Sequence, residues 1–533
     1  EFPEQMKKFW AFLKDCSDDI LGDDSFRYAV FGLGSSMYAA GDQFNRAARQ
    51  LDQKLEDMGA SRMIDVGLGD DQNPELYRGE MDTWLENLLP KLFEGQGSTT
   101  GSSLLDPPEP MFRLAVAPGK HRSDFQPLPP NYHFVSLESI ESVVSSGYNR
   151  PAAIFTFDLE NTGLSYEVGD HLALLPRNPE EVVDRILDLY APEITGDCVL
   201  TVETVDRLGD CPYPTALTTR ELLTQYLDLC GRPSRSFLKQ LFLFASSRKA
   251  RDTLRGLFER DNPNAAQDEF EKYTDTHSYA DVLCEFGATC LPPFEYLLSM
   301  LPVICPRLYS IASSPLHREN KLDLLVVLNE WRDTEKTRRV GLTTNFLFGS
   351  EPGINVAVQI RRGILQPPDD TESPLLMFGL GTGVAPFRGF LQHRHALQRA
   401  GATLGPAALY VGFRHENHDF YLKDDYEKWM NEGVLTAVHP AFSHDNILQR
   451  GGKLYFISDL MDEKPQDVAE ALELKSPKKR EVITKPRVHV YYCGPAMGIP
   501  EVRQSSNGVV EKDPLADELI ICAFFERRPF NKP

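Results

Sequence analysis

The sequence predicts a multidomain protein that combines α/β segments with one β-rich segment. Residues 1–94 and 367–533 alternate short apolar strands with helices, whereas residues 112–366 contain strands interrupted by a helical stretch at about 180–300. Residues 95–111, rich in Gly, Ser, Thr and Pro, form the predicted linker. Because 533 residues exceed what one hydrophobic core organises, we expect three folded segments joined in series.

The first α/β segment is predicted from helical and strand-like apolar spacing. The predicted elements are helices at Phe2–Leu13, Phe44–Met58 and Met81–Phe93, and strands at Phe26–Val30 and Met63–Val66. Each strand is followed by a glycine-containing turn, at Phe31–Tyr38 and Gly67–Gln72. Ligands of open α/β sheets bind at the carboxyl ends of strands, so both turns are candidate binding loops.

The β-rich segment is predicted from alternating apolar residues. The expected strands are Tyr132–Val144, Ala152–Leu159, Leu172–Leu175 and Leu322–Leu328, and the expected helices of the insert include Val182–Tyr190, Thr219–Cys230 and Ser236–Ala245. The pattern predicts strands on either side of a helical insert.

The most informative stretch of the last segment is L-L-M-F-G-L-G-T-G-V-A-P-F-R, residues 375–388. A short buried strand precedes three glycines, and Pro386 suits the first turn of a helix. Glycines accept positive φ and allow close approach of a ligand, so Gly381, Thr382 and Gly383 are predicted to bind a phosphate through backbone N–H groups. An ordinary strand-to-helix turn is the alternative. Further strands are predicted at Ala408–Phe413 and Val488–Tyr492.

Composition restricts the classes of function. The content of 41% hydrophobic and 25% charged residues is typical of globular proteins, and the net charge of −22 argues against nucleic acid and anionic membranes as partners. Residues 1–94 hold 19 Asp and Glu against 10 Lys and Arg, a net charge of −9. Nine scattered cysteines show no metal-ligand or disulfide spacing, which favours a reducing compartment, cytoplasmic or organellar, and no metal site. Because the chain opens at Glu1 inside a predicted helix, we expect a fragment, which leaves membrane association open.

Three motifs, in this order, carry a family resemblance. They are R-x-Y-S-x-x-S at Arg307–Ser313, G-x-T-T at Gly341–Thr344 and G-x-G-T-G-x-A-P-x-R at Gly379–Arg388. Together they resemble the FAD- and NADP-binding modules of the ferredoxin-NADP reductase superfamily. Residues 1–94 resemble the C-terminal half of a flavodoxin-like domain, so the whole chain resembles the NADPH-dependent diflavin reductases. The resemblance implies a partial flavodoxin-like domain, an FAD-binding antiparallel β-barrel with a helical insert, and a Rossmann-like NADP-binding domain.

The resemblance also implies roles for the FAD motifs. Arg307 would bind the pyrophosphate, for which a guanidinium with fixed donors is well suited. Tyr309 would stack on the isoalloxazine ring, and Ser310 would hydrogen-bond near flavin N5. The pyrophosphate loop would comprise Gly341, Leu342, Thr343 and Thr344. A core tyrosine and a surface arginine are the alternative reading of this motif.

Residues for the other cofactors follow from the same resemblance. Cys493 would lie beside the nicotinamide, and the nucleotide would be bound by Arg414, Ser443, Lys453 and Tyr455. His444 stands where the family has an arginine for the 2′-phosphate, and Ile457 stands where a glutamine is usual, so we expect a weakened preference for NADPH. FMN would contact Tyr38 and the loop that begins at Asp70. An isolated half of a flavodoxin-like domain is expected to retain FMN poorly.

The implied function is an electron relay between NADP(H), FAD, FMN and a protein partner, either a haemoprotein or an iron–sulfur domain. The sequence around residues 83–90, 358–368 and 492–501 resembles the reductase part of pyruvate:NADP⁺ oxidoreductases and sulfite-reductase-type flavoproteins. The first alternative is therefore a module that passes electrons from iron–sulfur clusters to NADP⁺. A flavin-free scaffold that keeps the fold is the non-enzymatic alternative.

Overall fold

A computed structural model describes most of the chain. The described residues are 4–17, 20–21, 26–34, 44–70, 77–92, 107–117, 131–205, 211–214, 216–258, 263–363, 365–467, 488–494 and 520–525. The predicted contacts of Tyr38, and most of the predicted linker, lie outside these ranges.

Fifteen α-helices are found among the described residues. They are α1 (Glu4–Asp15), α2 (Arg46–Asp57), α3 (Arg78–Leu92), α4 (Glu180–Tyr190), α5 (Thr219–Gln225), α6 (Arg235–Leu243), α7 (Arg248–Phe258), α8 (Pro263–Thr276), α9 (Tyr279–Cys290), α10 (Phe294–Met300), α11 (Leu342–Phe348), α12 (Ala385–Arg399), α13 (Glu416–Asp419), α14 (Lys423–Asn431) and α15 (Ile457–Glu463). A 3₁₀ turn at Gly381–Val384 leads directly into α12.

Strands occupy three regions of the described chain. They are β1 (Arg27–Tyr28), β2 (Phe31–Gly34), β3 (Ser61–Arg62), β4 (Gly67–Asp70), β5 (Phe112–Ala117), β6 (His133–Ser142), β7 (Ala152–Asp158), β8 (His171–Leu175), β9 (Val199–Thr204), β10 (Ala216–Thr218), β11 (Arg307–Ser310), β12 (Lys321–Val327), β13 (Glu330–Arg332), β14 (Arg338–Val340), β15 (Asn355–Arg361), β16 (Leu375–Leu380), β17 (Ala407–Phe413), β18 (Ala437–Phe442), β19 (His489–Gly494) and β20 (Ile520–Phe525).

The chain divides into two compact units. The first comprises Glu1–Val116, Glu181–Gly209 and Asp228–Pro302, and holds the N-terminal α/β segment with most of the helical insert. Its parallel strand pairs are β1 with β3 and β2 with β4. A small core of buried residues supports these strands, made of Tyr28, Val30, Leu55 and Ala60.

The second unit comprises Ala117–Glu180, Asp210–Leu227 and Val303–Pro533. Six of its strands form an antiparallel sheet in the order β11-β8-β15-β6-β7-β12. An antiparallel bridge between Ile311 and Leu324 joins the two end strands, so the sheet curls into a barrel. Side chains from alternating positions fill its interior, including Phe155 and Phe157, each 0% exposed. The predicted antiparallel barrel is confirmed.

The same unit contains a five-stranded parallel sheet in the order β18-β17-β16-β19-β20. The middle strand, β16, pairs with β17 and β19 along most of its length, and five consecutive residues from Leu375 are buried. Strands covered on both faces read as continuous apolar runs, which is why residues 375–378 were recognisable. The glycine loop leaves the carboxyl end of this central strand, so the predicted Rossmann-like arrangement is confirmed.

Two sequence predictions in the first unit were wrong in detail. We expected Phe31–Gly34 to be a turn, and Met63–Val66 to be a strand with a turn after it. In the structure F-G-L-G and G-L-G-D are themselves strands, paired in parallel from Phe31 opposite Gly67 to Gly34 opposite Asp70. Pairing across the sheet outweighed the low strand propensity of glycine.

In the described part of the chain, no helix is both long and apolar enough to cross a lipid bilayer.

Candidate functional site

Strand β11 presents the first predicted FAD motif at the edge of the barrel. It pairs antiparallel with β8, so that Arg307 lies opposite Leu174, Tyr309 opposite Leu172 and Ser310 opposite His171. Arg307 is exposed and donates a hydrogen bond from Nη1 to the Cys305 carbonyl at 3.0 Å. Tyr309 and Ser310 are half-buried. A strand alternates its side chains, so Arg307 and Tyr309 share one face and Ser310 belongs to the other.

The G-x-T-T loop is suited to an anionic ligand. Gly341 precedes helix α11, whose first N–H groups have no carbonyl four residues earlier within the helix. Thr343 is 4% exposed, and its hydroxyl oxygen has no hydrogen-bond partner among the residues that the structure describes. A buried hydroxyl without a partner indicates a missing acceptor or donor. The loop therefore fits the pyrophosphate that the sequence predicts there.

The two threonines of this loop are not equivalent. The Thr344 hydroxyl donates to the Gly341 carbonyl at 3.1 Å and accepts from the Asn329 N–H at 3.2 Å. It therefore holds the loop in shape and links it to the neighbouring segment. Of the two hydroxyls, only that of Thr343 lacks a partner among the described residues.

His171 was not predicted as a site residue. It is 6% exposed and lies directly opposite Ser310 in the β8–β11 pair. Burial lowers the pKa of its imidazole, while the neighbouring Asp170 acts in the opposite direction. A neutral imidazole opposite Ser310 adds no positive charge at the position predicted for flavin N5. The V-G-D-H sequence gave no indication of this pairing.

The three glycines of the nucleotide loop serve different purposes. Gly379 is buried within β16, Gly381 has a φ of 56°, and a side chain on Gly383 would place its Cβ 2.1 Å from the Cys493 carbonyl oxygen. Of the three, only Gly381 uses the positive φ that glycine permits. Thr382 is 8% exposed, and Pro386 is the second residue of α12, as its sequence position predicted.

Cys493 lies within β19 rather than after it, opposite Gly379 of the central strand. The residue is 2% exposed, and it contributes to the core that includes Val384 and Phe387. Its backbone faces Gly383 closely, so the cysteine and the glycine loop are fixed relative to each other.

Helix α12 holds the segment that follows Ser310. Nη1 of Arg388 donates to the Ala312 carbonyl at 2.6 Å and to Oδ2 of Asp323 at 2.8 Å. Oε1 of Gln392 accepts from the Ser314 N–H at 3.0 Å. The predicted FAD motif and the predicted nucleotide loop are therefore joined by direct hydrogen bonds, although the sequence places them about 70 residues apart.

A group of polar residues lies at the carboxyl ends of β17 and β18. The N–H of Ser443 donates to the Phe413 carbonyl, and the N–H of His444 donates to the Arg414 carbonyl, each at 2.9 Å. The Ser443 hydroxyl lies 2.8 Å from Nδ1 of His444. Burial lowers the pKa of His444, and the positive charges of Arg414 and His415 lower it further. The structure thus brings together His444 and two of the residues predicted to bind the nucleotide, Arg414 and Ser443.

The other two residues predicted to bind the nucleotide, Lys453 and Tyr455, lie in the segment between β18 and α15. The N–H of Tyr455 donates to the Ser443 carbonyl at 3.3 Å, and the Tyr455 hydroxyl donates to Oε2 of Glu463 at 2.6 Å. Burial and Glu463 raise the pKa of Tyr455 to about 12. Lys453 is exposed two residues earlier. Ile457 is 3% exposed in the core of the sheet and therefore cannot replace a phosphate-binding glutamine.

The predicted FMN site lies in the first unit and is described only in part. Asp70 ends β4 directly opposite Gly34, the last residue of β2, so the two strands end side by side. Nδ2 of the buried Asn45 donates to the Gly69 carbonyl at 2.9 Å. Tyr38 lies outside the described residues. Asn45 was not predicted, and it ties the start of α2 to the end of β4.

Among the described residues, no group of three or more His, Cys, Asp or Glu side chains could hold a metal ion.

Three family models match the chain. A flavodoxin model matches residues 1–84, an FAD-binding domain model residues 128–346, and an oxidoreductase NAD-binding domain model residues 377–503. The matched regions contain the first α/β segment, the barrel motifs and the glycine loop, in that order.

Curated relatives cover most of the chain. It is 30% identical over 470 residues to pyruvate dehydrogenase [NADP(+)], mitochondrial, of Euglena gracilis, which covers 87% of this chain and 24% of that protein. It is 27% identical to NADPH–cytochrome P450 reductase of Drosophila melanogaster, over 92% of this chain and 71% of that protein. For the same enzyme of Sus scrofa the identity is 26%, over 96% of this chain and 75% of that protein. The chain thus spans about a quarter of the first relative and about three quarters of the others.

Proposed function

Because this chain belongs to the NADPH-dependent diflavin reductase family, flavin-dependent oxidoreductases that use FAD, FMN and NADPH, we propose that it relays electrons from NADPH to a haemoprotein. The observation that carries the proposal is the connection between the two motifs. Arg388, five residues after Gly383, binds the carbonyl of Ala312, two residues after Ser310. The strand end proposed for the flavin is thus connected by a hydrogen bond to the helix that follows the loop proposed for the nucleotide.

In this proposal the barrel residues bind and orient FAD. Arg307 and the N–H groups at the start of α11 neutralise the pyrophosphate, and the buried Thr343 hydroxyl gains a partner from it. Tyr309 supplies a flat face for the ring system. When bound, FAD supplies the chemistry of taking up a hydride at N5 and releasing electrons singly.

The residues of the parallel sheet position NADPH. The N–H groups around Gly381–Gly383 and the start of α12 bind its pyrophosphate, while Arg414, Ser443 and Lys453 bind its 2′-phosphate. Ser310 and Cys493 act at the two reacting rings as hydrogen-bonding groups. Burial lowers the pKa of His171, which favours the neutral imidazole opposite Ser310.

A haemoprotein acceptor is proposed from two observations. Relatives that cover nearly all of this chain are named as cytochrome P450 reductases. The predicted FMN-bearing segment, residues 1–94, has a net charge of −9, which would accelerate association with a basic face on a partner. We place the protein inside the cell, in the cytoplasm or an organelle.

A second candidate is the reductase module of a pyruvate-linked enzyme. It is favoured by the Euglena relative, whose remaining length includes regions that this chain does not cover. Electrons would then run from iron–sulfur clusters toward NADP⁺.

The two candidates and the flavin-free scaffold are distinguished by one set of measurements on the full chain. Released FAD and FMN are quantified, and reduction of ferricyanide and of cytochrome c by NADPH is followed under anaerobic conditions. The relay predicts bound flavin and NADPH-dependent reduction. A colourless, inactive protein contradicts it, and a protein that reduces NADP⁺ from a low-potential dye much faster than it oxidises NADPH favours the pyruvate-linked module.

A further inference from the structure

We propose that Arg450 binds the 2′-phosphate of NADPH and thereby determines the choice between NADPH and NADH in this chain. The inference deepens the proposed function and rests on it, because it concerns the same nucleotide site. Arg450 belongs to none of the motifs that suggested the site.

Arg450 is placed by a contact with Tyr455. Its guanidinium carbon lies 3.7 Å from the centre of the Tyr455 ring, which is within the range of a cation–π contact. The Tyr455 N–H bonds to the Ser443 carbonyl at 3.3 Å. The ring that Arg450 covers is therefore attached to the strand end that carries Ser443 and His444.

The local backbone folds Arg450 back toward this ring. The Arg450 N–H donates to the Asn446 carbonyl at 3.1 Å, and the Gly452 N–H donates to the Ile447 carbonyl at 2.9 Å. Gly451 and Gly452 follow with φ angles of 64° and 85°, values that residues other than glycine rarely adopt. The resulting tight turn brings Arg450 and Lys453 onto the same short loop.

The guanidinium is available to an anion. Arg450 is exposed, and it takes part in no ion pair among the described residues. The nearby Tyr455 hydroxyl, in contrast, is already engaged with Glu463. A guanidinium resting on an aromatic face has its orientation limited while its N–H edges stay free, which suits recognition of a phosphate.

The charges around the site call for such a cation. Burial, Arg414 and His415 all lower the pKa of His444, so its imidazole is largely neutral at neutral pH. Glu463 and Asp459 add negative charge near Tyr455. Arg414, Lys453 and Arg450 are then the permanent positive charges that the loop and strand ends can offer to a phosphate dianion.

A competing role is steric: Arg450 covers a face of Tyr455 and would exclude the adenine ring from it. In that case its removal would improve binding of any adenine nucleotide, with or without a 2′-phosphate. The two roles therefore predict opposite results.

The test compares adenosine 2′,5′-bisphosphate with adenosine 5′-monophosphate, which differ by the 2′-phosphate alone. Calorimetric Kd values are measured for the full chain and for Arg450→Ala, Arg450→Gln and Arg450→Lys. We expect Arg450→Ala to lose about tenfold in affinity for the bisphosphate and to bind the monophosphate unchanged. Arg450→Gln should resemble the alanine variant, and Arg450→Lys should recover part of the loss. Arg399→Ala is the matched control, because this exposed arginine is the last residue of α12, whose first residues follow the nucleotide loop.

Each other result overturns the inference in a recognisable way. If the unmodified chain binds the bisphosphate no better than the monophosphate, the proposed NADPH site itself fails. If the chain prefers the bisphosphate and Arg450→Ala keeps that preference in full, only the role of Arg450 fails. Tighter binding of both ligands by Arg450→Ala would establish the steric role instead, and an equal loss for both would reduce Arg450 to packing on Tyr455.

Discussion

Nη1 of Arg388, on the helix that follows the nucleotide loop, lies 2.8 Å from Oδ2 of Asp323, whose side chain is fully buried in the barrel. Arg318 and the Thr156 hydroxyl bind the other oxygen of the same carboxylate. A buried carboxylate requires such partners, because an unpaired buried charge is costly. The pair therefore fixes the angle at which α12 meets the barrel.

Replacing Arg388 by methionine should destabilise this unit by about 3 kcal/mol, because Asp323 stays buried with one cation fewer. The measurement is the urea midpoint of the transition in which flavin fluorescence appears. Arg362→Met is the control, since its contact with Glu167 spans 3.6 Å between largely exposed side chains and should add little. If Arg388→Met and Asp323→Asn lower stability additively in the double variant, the two residues are not coupled.

Arg307→Ala should release FAD. The variant loses a charge-assisted contact of about 1.5–3 kcal/mol, which corresponds to a ten- to hundredfold weaker affinity. Released FAD per chain is the measurement, and Arg248→Ala, at an exposed position of α7, serves as the control. Full retention of FAD would show that Arg307 does not bind the cofactor.

Ser310→Ala and Cys493→Ala should slow hydride transfer while the flavin content stays unchanged. Each removes one hydrogen-bonding group near the reacting rings, and we expect about a tenfold decrease in the rate of FAD reduction by NADPH in stopped-flow experiments. Because Cys493 is buried, the thermal unfolding midpoint of Cys493→Ala is measured together with the rate. A normal rate with a lowered midpoint would make the thiol a packing group only.

The preference for NADPH over NADH should rise with acidity through His444. In the protein without nucleotide, the pKa of His444 is below its ordinary value. A bound phosphate dianion favours the charged imidazole, so the affinity for NADPH should increase as the pH falls toward about 6. The 2′-phosphate also titrates near about pH 6. His444→Gln shows how much of the pH dependence comes from the phosphate, because this variant lacks the imidazole while Arg414, His415, Asp419 and Asp445 remain. The measurement is the kcat/KM for NADPH divided by that for NADH, recorded between pH 8 and 6. This ratio should rise more steeply with acidity in the unmodified chain than in His444→Gln, and identical pH profiles would exclude His444 from the site.

Asn45 should be needed for FMN. Its side chain links α2 to the Gly69 carbonyl beside Asp70, and its φ of 52° is left-handed. Asn45→Ala and Asn45→Gly both lose the amide, whereas glycine tolerates the backbone angle. After incubation with excess FMN, both variants should hold less FMN than the unmodified chain and equal FAD. Normal FMN in Asn45→Gly would assign the effect of alanine to backbone strain.

The sequence was informative where local chemistry decides the structure. Strand, glycine loop and helix around Gly381 were predictable because φ, proline position and apolar runs are local properties, whereas the barrel was implied by the family resemblance. The strand at Phe31–Gly34 was missed because its pairing with Gly67–Asp70 outweighs glycine propensity. Arg388 with Asp323, His171 with Ser310, and Arg450 over Tyr455 depend on register or tertiary contacts, which no spacing in the sequence reveals.

The hydrogen bonds between α12 and residues 312–314 limit where the protein can be divided into fragments. A fragment that begins after the barrel would expose the face of α12 that carries Arg388 and Gln392, and the barrel alone would leave Asp323 without its innermost cation. The two parts are thus better treated as a single expression unit, with any boundary for truncation placed before the barrel rather than between the barrel and the parallel sheet. Movements that admit and release nucleotide must occur away from these contacts, since breaking them would remove one of the two cations that pair with the buried Asp323 carboxylate at every turnover.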